Sequence, residues 1–126
     1  MSSLKGCSKM LSTEFSVFIE EAIKYRRYFE NPVELGKKVK KIISKYVEDI
    51  EVYVFGSVAR GRYTASSDID ILVVTPIKLS KEDIYRLKTE VVLSLDAPLE
   101  LHIVSRDEFE NWYKRFISKE ELYEIP

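Results

Sequence analysis

Apolar residues recur at helical spacing in two blocks near the N-terminus, and the chain then changes to strand-like runs. Phe15, Phe18, Ala22, Tyr25 and Phe29 alternate separations of three and four, which predicts a helix reaching about Phe29 with Ser12 or Thr13 as its cap. Val17, Ile19, Ile23 and Tyr28 widen its apolar surface beyond one stripe, so this helix requires two neighbours. Its own sheet supplies one; a second subunit, making a homodimer, or a different protein would supply the other. Asn31-Pro32 restarts the chain with a capping residue, a first-turn proline and Glu34 three residues after the cap. Leu35, Val39, Ile42, Ile43 and Tyr46 then line one side of a second helix, which the pattern ends near Glu48-Asp49. Lys37, Lys38, Lys40, Lys41 and Lys45 lie opposite and read as a solvated face.

From residue 50 the pattern is β-rich. Residues 50–55 and 68–75 form two strands separated by a polar loop, and Pro76 stops the second. Ser80 caps a helix extending to about Leu95, with Ile84, Leu87, Val91 and Leu95 on one face. Asp96-Ala97-Pro98 breaks the chain before a third strand over residues 99–104. Ser105 with Glu108 makes a capping box for a last helix bearing Phe109, Trp112, Tyr113 and Phe116. The order α-α-β-β-α-β-α predicts a two-layer α/β (α+β) domain, a mixed sheet with helices packed on one face. Residues 1–12 lack periodicity and are expected to be a flexible tail, followed by one domain over residues 13–126 with a helical N-terminal extension.

Composition narrows the class. The 126 residues are 45% hydrophobic and 33% charged, which suits a folded soluble domain and excludes collagen-like and disordered classes. No apolar run approaches the roughly 20 residues of a membrane span, no secretion signal opens the chain, and Cys7 is the sole cysteine; the expected location is the cytoplasm. The net charge of −1 conceals a basic first third: residues 1–48 hold ten Lys/Arg against six Asp/Glu, and the remainder ten against fifteen.

The candidate chemistry lies around the second strand. Alternation puts Asp68, Asp70 and Leu72 on one face and Ile69, Ile71 and Val73 on the other, in the core. Two adjacent carboxylates repel each other unless a cation neutralises them, and hard oxygen donors suit Mg²⁺ or Mn²⁺. The competing reading is a simple turn at Ser67-Asp68 with a solvated Asp70. The preceding loop favours the metal. Gly56 and Gly61 permit close backbone approach to phosphate, Ser57 offers a hydroxyl, and Arg60 and Arg62 offer charge-assisted bonds. On the third strand, Glu100 and His102 share the face opposite Leu99, Leu101 and Ile103. If that strand adjoins the second, Glu100 reaches the aspartate pair, and three carboxylates could hold two ions. His102, the only histidine, reads as a supporting or structural residue.

The run GSVARGRYTASSDID, residues 56–70, resembles the signature of DNA polymerase β-like nucleotidyltransferases, and most closely that of the minimal nucleotidyltransferases often paired with a small helical HEPN-type protein. The resemblance spans roughly residues 39–104. It implies that Asp68 and Asp70 bind divalent metal, that Gly56 and Ser57 hold the triphosphate, and that Glu100, where short members more often carry Asp, completes the site and assists acceptor deprotonation. Arg60 and Arg62 are further candidates for phosphate contact. The implied activity is transfer of a nucleoside monophosphate, AMP from ATP in its most specific form, to a protein or RNA, within a toxin–antitoxin pair. The alternatives are an idle module that masks a helical toxin and an antibiotic-modifying transferase.

Overall fold

The computed structural model describes residues 2–55, 68–113, 115 and 122–126, with side chains described from residue 15 onward and not at 112 and 113. Helix α1 covers Ser2–Glu30 and α2 covers Pro32–Ile43; strand β1 (Glu51–Phe55), strand β2 (Ile69–Thr75), helix α3 (Lys81–Ser94) and strand β3 (Leu99–Ser105) follow. A short helix α4 (Arg106–Glu108) continues as a π-helical stretch over Phe109–Tyr113, and strand β4 is Tyr123–Glu124. The sheet order is β3-β2-β1-β4. β2 and β3 run parallel, whereas β1 is antiparallel to both β2 and β4, so the sheet is mixed as predicted.

The core forms where α2, α3 and the end of α1 meet one face of this sheet. Leu35, Val39 and Ile43 of α2 and Leu87 and Val91 of α3 pack on Val52, Val54, Ile69, Ile71, Val73, Leu101 and Ile103. On the other face Leu72, Val74 and Val104 form a smaller cluster with Phe109, whose ring meets Tyr53 edge-on at 5.1 Å. Glu51 ties this side together: its carboxylate accepts from the Tyr53 hydroxyl at 2.7 Å and pairs with Arg106 at 2.9 Å.

Caps explain several boundaries. The Ser80 side chain accepts from the Asp83 amide, and Ser105 does the same for Glu108, as the sequence predicts. Asn31 makes no side-chain cap; Pro32 sets the first turn, and the Glu34 amide reaches the Asn31 carbonyl instead. Helix α2 ends at Ile43, five residues short of the predicted end. Tyr46 is 59% exposed and leaves the apolar face assigned to it. Tight bonds from the Lys45 and Tyr46 amides to the carbonyls three residues earlier close the helix, and Asp49, with φ of 57°, turns the chain into β1. Helix α1 starts at Ser2, ten residues ahead of the predicted cap, because residues 2–12 contain no proline to interrupt it.

One feature was not foreseen. Strand β4 closes the outer edge of β1, and the Ile125 amide donates to the Val52 carbonyl at 2.7 Å. Ile125 is buried against Gly36 of α2, where a Cβ would stand 2.6 Å from its Cδ1 atom; glycine is what permits this close approach. Lys40, predicted to be only solvated, donates to the Ile125 carbonyl at 3.2 Å. Helix α1 leaves uncovered part of the wide apolar surface that its pattern predicts. Tyr28 and Phe29 are buried, and Tyr25 and Lys24 hold Asp96, yet Phe15, Phe18, Ile19 and Ile23 remain 40–67% exposed. The helix end is anchored and its earlier turns present apolar surface to solvent.

Candidate metal centre

Residues at the start of β2 and β3 converge because the two strands are parallel and in register. Asp70 sits opposite Glu100, and Leu72 opposite His102. Ile69, Ile71, Leu101 and Ile103 are drawn into the core, which obliges the alternate side chains to face the other way. On its other side Asp70 is paired with Phe55 of β1. Asp70 therefore stands between Phe55 on β1 and Glu100 on β3.

Asp70, Glu100 and His102 each offer one ligand atom within 4.8 Å of the others. His102 Nε2 lies 3.6 Å from Asp70 Oδ1 and 3.9 Å from Glu100 Oε1, too far for direct hydrogen bonds. The His102 ring is held against Phe55, with centroids 5.4 Å apart. The Asp70 and His102 side chains are 27% and 30% exposed, and Glu100 is 61% exposed. Burial raises the Asp70 pKa from its ordinary value; the charge of Glu100 adds to this rise and His102 opposes it.

Two oxygen donors and an imidazole nitrogen in this space suit a divalent ion of the Mg²⁺ or Mn²⁺ type, and a cation would remove the repulsion that lifts the Asp70 pKa. Asp68 is exposed at the mouth of β2 and is not one of the three converging groups. Gly56, Ser57, Arg60 and Arg62 lie outside the described residues. Sequence alternation had placed His102 on the correct face but gave it only a supporting part; the register and the Nε2 distances bring it among the acids. A cavity of about 590 Å³ lies beside Tyr46, Leu79 and Leu87, between the segment after α2 and α3, and none of the three groups lines it.

The profile of the nucleotidyltransferase domain matches residues 37–124, more than half of the sequence. The chain belongs to the nucleotidyltransferase domain family. This nucleotidyltransferase is similar to a crystal structure provisionally assigned to the same activity, with 30% identity and a TM-score of 0.58 over 71% of this chain and 96% of that one. A provisionally assigned nucleotidyltransferase from Sulfolobus solfataricus aligns at 24% identity and a TM-score of 0.51, covering 84% of this chain and 83% of that chain. A complex of an AMPylated Shewanella oneidensis HEPN toxin with its MNT antitoxin gives 18% identity and a TM-score of 0.46, covering 75% of this chain and 71% of that one. No curated protein matches. The matched region extends to residue 124, so it takes in β4, which the sequence resemblance had left out, while all of α1 precedes it. Among the described residues, no helix is long and apolar enough to cross a membrane.

Proposed function

We propose that this nucleotidyltransferase moves a nucleoside monophosphate, AMP from ATP in the most specific form, onto a protein or RNA acceptor with the help of Mg²⁺ or Mn²⁺. The observation that carries this reading is the convergence of Asp70 and Glu100, with His102, at the mouth of two parallel strands in a chain of this family. Asp68 and Asp70 belong to the Asp-x-Asp motif and, with Glu100, would hold the metal. When bound, the metal neutralises phosphate charge and lowers the pKa of the attacking group.

The chain's own residues divide the remaining work. Gly56 and Ser57 hold the triphosphate, and Arg60 and Arg62 contact its oxygens. Glu100 is the most exposed of the converging groups, so it can meet an incoming acceptor and take its proton. The acceptor oxygen or nitrogen bonds to the α-phosphorus, the bridging bond to the β-phosphate breaks, and pyrophosphate leaves. Phosphoryl-type transfer asks mainly for position and charge neutralisation, which a rigid two-strand platform supplies.

The exposed apolar turns of α1 support a protein partner, and a small helical protein of the HEPN type fits the sequence resemblance. Incubation with α-³²P ATP, Mg²⁺ and such a partner or RNA tests the activity. Label should enter the acceptor, and Asp70→Asn and Asp68→Asn should each reduce transfer at least a hundredfold. Undiminished transfer in either variant would falsify that residue's assignment. Tight partner binding, unchanged after substitution of all three carboxylates and accompanied by no turnover in the unmodified protein, would favour a masking module instead.

A further inference from the structure

The imidazole of His102 is placed as a donor, and among the described residues its Nε2 atom has no other hydrogen-bonding task. That nitrogen faces the carboxylates of both Asp70 and Glu100, at 3.6 and 3.9 Å, and bonds directly to neither. Two donors that share an ion at about 2.1 Å each stand roughly 3.0 to 3.6 Å apart for bond angles of 90 to 120°. The Asp70 separation falls at the upper end of that range, and the Glu100 oxygen, 3.9 Å from Nε2 and within 4.8 Å of the other two donors, must move inward to share the centre. Contact with Phe55 restrains the ring, so presenting Nε2 costs little additional side-chain entropy.

We propose that His102 Nε2 is a direct metal ligand together with Asp70 and Glu100, and that this nitrogen biases the site toward Mn²⁺ over Mg²⁺. The inference rests on the metal-dependent reading above and extends it from carboxylate oxygen to a second type of donor. Imidazole nitrogen binds first-row transition ions more readily than it binds Mg²⁺, which keeps to oxygen and water. An all-carboxylate site would lack that discrimination.

Electron spin-echo spectroscopy of Mn²⁺ bound to the full chain, purified without a histidine tag and without nucleotide, provides the test. His102 is the only histidine, so imidazole nitrogen coupling has a single source. The expected result is a ¹⁴N modulation that changes to a ¹⁵N pattern when histidine alone is ¹⁵N-labelled, a measurement that needs no variant to fold. In His102→Gln the modulation should vanish, and Mn²⁺ affinity should fall about tenfold while Mg²⁺ affinity changes less than about twofold. Mn²⁺ bound through Asp70, shown by its loss in Asp70→Asn, but without nitrogen coupling would overturn the role of His102 and leave the carboxylate site standing. No Mn²⁺ binding with or without ATP would overturn both.

Discussion

Replacing Asp70 by Asn should stabilise the metal-free protein while removing its capacity to bind metal. The Asp70 carboxylate is 27% exposed, held between Phe55 and Glu100, and its charge is disfavoured by burial first and by Glu100 second. Two unit charges within the observed 4.8 Å repel by roughly 3.5 kcal/mol at an effective dielectric of 20 and by about 0.9 kcal/mol in bulk water. Glu100 is 61% exposed, so solvent screening brings the value close to the lower figure, about 1 kcal/mol. His102, at 3.6 Å, opposes this repulsion only to the extent that its imidazole carries a proton. For a domain of this size the gain corresponds to a Tm increase of about 4 °C. Thermal denaturation followed by circular dichroism at pH 8 in EDTA measures it. Adding Mn²⁺ at about a hundred times its Kd should then stabilise the unmodified protein by about 2.7 kcal/mol and leave the variant nearly unchanged. A variant less stable than the unmodified protein in EDTA would refute the argument that Asp70 is held against electrostatic strain.

Three further outcomes are expected. The raised pKa of Asp70 means that its stability contribution is fully present below the unfolded carboxylate value and is lost as pH rises through the folded value. The metal-free Tm advantage of Asp70→Asn should therefore shrink on acidification, while Mn²⁺ affinity, read by isothermal titration, should weaken as protons compete for the same oxygen. Gly36→Ala gains about 1 kcal/mol of helix propensity but forces a Cβ within 2.7 Å of two Ile125 side-chain atoms. Overpacking of about 1 to 3 kcal/mol should prevail, and urea denaturation should show partial recovery when Ile125→Val removes one of those atoms. Phe15→Ser combined with Phe18→Ser should change unfolding free energy by less than about 0.5 kcal/mol, since both rings are largely in solvent, yet should reduce partner capture in a pull-down.

The order of the main elements was legible because each has a clear period. β3 alternates over residues 99–103, β2 alternates at residues 69–71 before a continuous apolar run, α3 repeats at three and four, and Ser80 and Ser105 carry their caps in the sequence. The opposition of Asp70 and Glu100 followed from those periods once the strands were adjacent. The closeness of His102 to the acids was not legible, because a sequence gives the face of a side chain but not a diagonal distance between strands. The C-terminal strand escaped notice for a different reason: two residues are too few to display alternation, and their pairing with β1 is long-range. Helix α2 was drawn too long because Tyr46 continues the apolar spacing, whereas the turn at Asp49 is a backbone event with no periodic signal.

Closure of the sheet by β4 also bears on how the domain is made. β1 is complete by residue 55, but the strand that covers its outer edge is at residues 123–124 and the side chain that fills the space over Gly36 is at 125. A ribosome must therefore release almost seventy further residues before the first strand finds its last neighbour, and during that interval a hydrogen-bonding edge is open to any other nascent chain. Synthesis order and assembly order are thus opposed in this fold. A fusion or truncation at residues 122–126 would act first on folding yield and aggregation, well before any effect on the distant acidic pair could be read.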